Sequence, residues 1–209
     1  FSFLQLKLNE NIRLNNLWNH SYGGNYNKNE LVGGLFIENS FNWQETTELI
    51  ASFRLDKHNV HGLLTTPRML LKYQITENSN IRLSCGTGWK TINLFSEHIN
   101  ILGSNKDIII ANDLEPEKAF NIGSSFLQTF YLENLELQLT FDFYHTRFSN
   151  QIFPDYDSNI NHIYIGNFTD NSQSNSLQAE IGVELAQEIG IKLAYNYLDV
   201  FRMIHGHKH

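Results

Sequence analysis

Residues 135–148 read LELQLTFDFYHTRF, in which Leu135, Leu137, Leu139, Phe141 and Phe143 alternate with Glu136, Gln138, Thr140, Asp142 and Tyr144. A period of two sends the two sets to opposite faces of a β-strand. One face is wholly apolar and the other takes the charge, so the strand separates an apolar medium from water. Leu177, Ala179, Ile181, Val183 and Leu185 repeat the pattern against Gln178, Glu180, Gly182 and Glu184. Ile191, Leu193, Tyr195 and Tyr197 continue it, and Leu49, Ala51, Phe53 and Leu55 show it earlier, with Ile50 out of phase.

Weaker alternation at Pro67 to Thr76, Ile81 to Lys90, Glu117 to Phe130, Leu31 to Trp43 and the first ~20 residues brings the expectation to about ten strands. Several run to about 10 to 15 residues, beyond the usual 5 or 6 of soluble sheets, whereas a tilted strand needs ~9 to 11 to cross a bilayer. Tight turns are expected at Asn42 to Glu45, Thr76 to Asn80, Tyr131 to Asn134 and Gln187 to Gly190. Wider links are expected at Tyr22 to Glu30, His58 to Thr66, Thr91 to Pro116 and Asn150 to Ser174. Short turns alternating with long loops predict an all-β, antiparallel up-and-down transmembrane barrel. Trp18, Trp43, Tyr73, Trp89, Tyr131, Tyr195 and Tyr197 fall near strand ends, where an aromatic girdle would meet the headgroups.

Composition agrees. Of 209 residues, 41% are hydrophobic and 18% charged, and the mean hydropathy is −0.33, which excludes a bundle of membrane helices and a disordered chain alike. No run approaches the ~20 apolar residues of a membrane helix. No signal peptide follows Phe1, so one is expected to have been removed or to lie upstream. Cys85 is the single cysteine and reads as a small apolar strand residue. A net charge of −7 argues against a nucleic-acid partner.

No nucleophile–base set, metalloprotease helix or phosphate-binding glycine loop can be assembled, so no enzyme and no cofactor are expected. Glu115 and Glu117 flank Pro116 at a strand start and read as loop charges or bonds across the lumen. Two histidine clusters have conceivable ligand spacing: His58 with His61, and His205 with His207 and His209. The second reads as a solvated tail, the first as a substrate contact, and no metal is expected. Recognition is carried by loops on a rigid scaffold. The candidate ligand residues are therefore His58, His61, Asn93, Glu97, Asn105, Asp155 and Asp157.

Several stretches, in order, resemble the C-terminal barrel region of TonB-dependent outer-membrane receptors, especially the Bacteroidetes type. They are FRLDKHNVHG (53–62), TPRMLLKY (66–73), IRLSCGTGWKTINLFSE (81–97), LEPEKAFNIG (114–123), FDFYHTRFSNQIFPD (141–155), SNSLQAEI (174–181) and LAYNYLDV (193–200). The resemblance spans roughly residues 30 to 203. It implies a fragment of about ten strands from a ~22-stranded barrel, with outer-membrane lipid as its surroundings in a Gram-negative cell. It also implies uptake of a scarce solute, an iron chelate, cobalamin or glycan, powered by a TonB-type partner acting on a plug domain. The whole of 1–209 is then barrel, with neither plug nor TonB box in it. Gly86 and Gly88 share a lumenal face with Arg82, Ser84 and Lys90, leaving room for a plug or permitting strand coiling. Two alternatives stay open: a passive porin or structural barrel, and a soluble β-sandwich binding module.

Overall fold

The computed structural model describes residues 2–14, 24–93, 97, 98, 100, 101, 106–111, 113–156, 158–168, 172–185, 189–204 and 207–208. Trp18 and Asn105, Asp157, His205 and His209 lie outside them. The strands are β1 (Ser2–Leu14), β2 (Gly24–Trp43), β3 (Thr47–His58), β4 (Gly62–Thr76), β5 (Ser79–Lys90), β6 (Asp107–Ile110), β7 (Glu117–Leu132), β8 (Leu135–Ser149), β9 (Ile152–Asp155), β10 (His162–Asn167), β11 (Ser172–Leu185), β12 (Ile189–Ile204) and β13 (His207–Lys208). One ten-stranded sheet has the order β1-β2-β3-β4-β5-β7-β8-β11-β12-β13, and every ladder in it is antiparallel. Among the described residues no ladder joins β1 to β12 or β13, so the sheet is open.

Register confirms which residues share a face. Leu137 pairs with Val183, Leu139 with Ile181 and Phe141 with Ala179, while Ile181 pairs with Leu193 across β12. Gln138, Asp142, Glu180, Glu184 and Lys192 fall on the opposite face, where Lys192 Nζ reaches Glu180 Oε1 at 2.7 Å. The apolar face is bare: Phe141 is 49%, Ile181 45%, Ile37 53% and Leu193 69% exposed. A soluble monomer rarely leaves so large an apolar surface uncovered, and among the described residues no second sheet packs on it, which removes the sandwich alternative. A lipid-facing wall accounts for it.

Connections sort by end. Gln44–Thr46, Glu77–Asn78, Glu133–Asn134 and the strand ends at Leu185 and Ile189 lie at one end. The turn Asn59–His61 and the strand ends at Lys90, Glu117, Ser149 and Ser172 lie at the other. Gln44 and Glu45 both take positive φ (49° and 58°), which lets a short reversal follow the strand twist.

Four local expectations are corrected. The link after His58 is a three-residue turn, Asn59–His61, because Gly62, at φ +76°, restarts the chain as β4. Strand β2 likewise begins at Gly24, inside the segment expected as a loop. Pro67 therefore lies within β4 rather than at its start, but at the place where pairing with β5 stops. The β4–β5 ladder begins at Arg68↔Gly86, so no bond there depends on the missing N–H. Finally, the two long loops contain β6, β9 and β10, which form a separate three-stranded sheet, with β6 and β10 parallel. Ile92, Ile101, Ile152, Ile163 and Ile165 form a buried cluster there, packed by Ile108, Ile110 and Leu114.

Candidate ligand-binding site

The inner face is built from the alternate residues of β2 to β5. Val32 pairs with His58, Gly34 with Asp56 and Phe36 with Arg54, so these side chains project inward at the loop end. Asp56 is 1% exposed. Its carboxylate accepts two contacts of 2.9 Å from Arg54 Nε and one of 3.2 Å from Trp89 Nε1. A Cβ on Gly34 would collide with that carboxylate, so only glycine leaves it room.

Trp89 departs from the girdle expectation. By pleat it shares the outward face with Thr87, yet where β4 and β5 part, its indole passes inward to Asp56 and stands edge-on to His58. Tyr131 also departs from it, pairing with Glu136 on the inner face. Trp43 and Tyr73 remain outward and about half exposed near the short-turn end.

A cavity of about 570 Å³ opens on this inner face, lined by Glu30, Arg54, Asp56, Arg68, Lys90 and Asn93 among others. Glu97 bonds two of its lining residues. Lys90 Nζ donates to Glu97 Oε2 at 2.8 Å and lies 3.1 Å from Glu117, while the Asn93 amide donates to Glu97 Oε1 at 3.1 Å. Burial pushes the Glu97 carboxyl up, but Lys90 and the Asn93 amide outweigh it and hold the group below the ordinary carboxylate range. Because the folded value is the lower one, this anchor is at full strength above the unfolded value of 4.5 and is lost as pH falls through the folded one. The protection of the Asn93 amide, its exchange taken relative to the intrinsic rate at each pH, should therefore fall as acid is added below about pH 4.5, and Glu97→Gln should remove that dependence; a protection that does not change with acid in the parent protein would contradict the anchor.

The structure thus brings Asn93 and Glu97 together and places His58 and His61 at the same end. The His58 imidazole is wholly buried, and its Nδ1 accepts the amides of Val60 (3.1 Å) and His61 (3.2 Å). Asn59 ties this turn to β2 through Leu31 N and Asn29 O. Glu30, which the sequence did not single out, lies 3.5 Å from His58 Nε2 and accepts from Thr91 Oγ1 at 2.9 Å. Asp155 belongs to the other loop, where its Oδ1 accepts the Ser158 amide at 3.0 Å. Glu115 and Glu117 fasten that loop at its base, to Asn150 Nδ2 and to the Ile152 amide, both at 2.7 Å.

The family model for the TonB dependent receptor-like β-barrel matches residues 4–203. The chain belongs to this family. It is a family of receptors and transporters, not of enzymes. Solved siderophore receptors and an iron transporter share the fold. The siderophore receptor PirA from Pseudomonas aeruginosa is 16% identical with a TM-score of 0.63, over 84% of this chain and 33% of its own. The FrpB iron transporter from Neisseria meningitidis is 15% identical with a TM-score of 0.59, over 85% and 27%. A variant of the ferric enterobactin receptor PfeA from Pseudomonas aeruginosa is 15% identical with a TM-score of 0.65, over 94% and 31%. The TonB-dependent receptor barrel described here thus spans about a third of those chains or less. No curated protein matches it.

Proposed function

We propose that this barrel segment belongs to a Gram-negative outer-membrane receptor that takes up a scarce solute, of the iron-chelate class, with energy from a TonB-type partner. The observation that carries the reading is the cavity with charged lining on the inner face, bordered by Thr91 and Asn93 at the start of a long loop and walled by strands whose other face is apolar. Siderophore and iron receptors among the similar structures favour an iron chelate over a cobalamin or a glycan. His61, Asn93, Glu97, Asn105, Asp155 and Asp157 are the proposed ligand-facing positions, on the loop end and the two long loops, while His58, wholly buried, holds the turn that carries His61. The partner acts through a plug domain in the intact polypeptide, whose remaining strands complete the wall. A ten-stranded closed barrel would be filled by its own side chains, whereas plugged lumens belong to ~22-stranded ones.

The test is uptake of a radiolabelled ferric chelate by cells producing the intact protein. Uptake should cease when residues 91–116 and 150–171 are replaced by short linkers, and when the proton gradient is collapsed. Uptake that survives collapse of the gradient would identify a passive pore instead.

A further inference from the structure

We infer that the notch between β4 and β5 at the loop end, on the lipid-facing side of the wall, is a headgroup site for a phosphate-bearing lipid. The charge pattern points there. Among the described residues, the charged side chains on the outward face of β3, β4, β5, β7, β8, β11 and β12 are Lys57, Lys118, Arg147 and Asp199, all toward the loop end of their strands. The rest of that face, down to the short turns, carries none. Two of the three cations come together: Lys118 and Arg147 line a cavity of about 350 Å³ with Leu63, Pro67 and Phe120. Arg147 pairs with Phe120 across β7, one diagonal step from Lys118, while Asp199 stands two strands away on β12. The volume is roughly ten times the ~30 Å³ share of one water, room for a phosphate with its linking atoms.

The strands themselves make the notch. Pairing of β4 with β5 begins at Arg68↔Gly86, so Leu63–Pro67 and Thr87–Trp89 border the same cavity with no ladder between them. Trp89 would fill the gap from the outward side, but its indole turns in to Asp56. Backbone groups at such a break need a polar partner once lipid replaces water, and phosphate oxygens accept from N–H groups as well as from the two side chains. Lys118 is exposed, and Arg147, which also has a partner within the fold, presents five donors in a planar fork suited to an oxyanion. The source of the phosphate is a lipid rather than a free anion, because apolar groups continue the site. Leu63 and Phe120 are 63% and 46% exposed beside the cations, and Met69 and Ile122 extend the path into the apolar band, where acyl chains lie. The site rests on the reading of this chain as an outer-membrane wall with its loop end at one membrane surface.

The test uses the intact polypeptide, purified in a nonionic detergent and titrated with short-chain phosphatidic acid, with retention read by native mass spectrometry. Phosphatidic acid should be held one per chain, whereas phosphatidylcholine of the same chain length, whose choline opposes the cations, should bind far more weakly. Lys118→Gln and Arg147→Gln should each weaken phosphatidic acid binding about fivefold, the equivalent of one basic side chain at a charged membrane surface. Lys72→Gln, on the water-facing side of β4, should leave it unchanged. Should Arg147→Gln fail to fold, Lys118→Gln at its exposed position decides. Equal retention of the two lipids would make the notch a merely apolar groove, and competition by inorganic phosphate at the same concentration would make it a site for a free anion. Either result, or an unchanged affinity in Lys118→Gln, overturns the assignment. A wall wrongly read as membranous would show itself differently, by staying monodisperse without detergent. None of the lipid results bears on uptake, which is read on loop replacements.

Discussion

Arginine in place of Leu139 is expected to lower the stability of the membrane-inserted sheet by about 2 to 4 kcal/mol, the cost of a cation near the bilayer midplane on a lipid-facing position. Leu139 is the fifth of the fifteen residues of β8, paired with Ile181 on one side and Gln128 on the other, on the apolar face. The neighbouring Gln138→Arg places the same charge on the water-facing side and should cost far less. Reversible denaturant unfolding in lipid vesicles measures both. Equal losses at the two positions would mean that the faces have been assigned the wrong way round.

Asp56→Ala should produce the second large effect, a loss of about 2 to 3 kcal/mol, because it removes one acceptor and strands two donors at once. Arg54 is itself one-third exposed and recovers part of its cost from water, which keeps the figure below that of a fully buried ion pair. Asp56→Asn retains an acceptor for Trp89 and should lose less. Trp89 fluorescence should shift toward that of a more mobile, wetter indole in the alanine variant. A spectrum and unfolding midpoint matching the parent would show that the Arg54–Asp56–Trp89 link holds nothing in place.

The long strands were legible because their period is strict. The alternation from Leu135 to Phe143 and from Leu177 to Leu185 specifies both the face and, through the short turns, the antiparallel neighbour. Strand β4 was misread at its start because Pro67 looks like a beginning. Only the register shows that the β5 ladder ends beside it, making the proline harmless inside the strand. The parallel β6–β10 pair was invisible, since it joins segments more than fifty residues apart and each is only four to six residues long. His58 and His61 could be named from sequence because they are close together. Glu30 could not, because it comes alongside them only through the β2–β3 pairing and the Asn59 bonds to β2. An acidic residue two positions before the histidine's cross-strand partner, on the same face of the hairpin, is the signal that would have found it.

The isoleucine cluster beneath β6, β9 and β10 divides the molecule's cooperativity. Every ladder of the small sheet is internal to it, so opening the loops sacrifices that apolar cluster and a few side-chain ties but none of the ten-strand pairings. Local and global unfolding are then separate events with separate free energies. Amides of Ile163 and Ile165 should exchange together as one unit, ahead of those in β8 and β11. A loop sheet supported in this way can be rebuilt by substitution without touching the pairings of the ten-stranded wall.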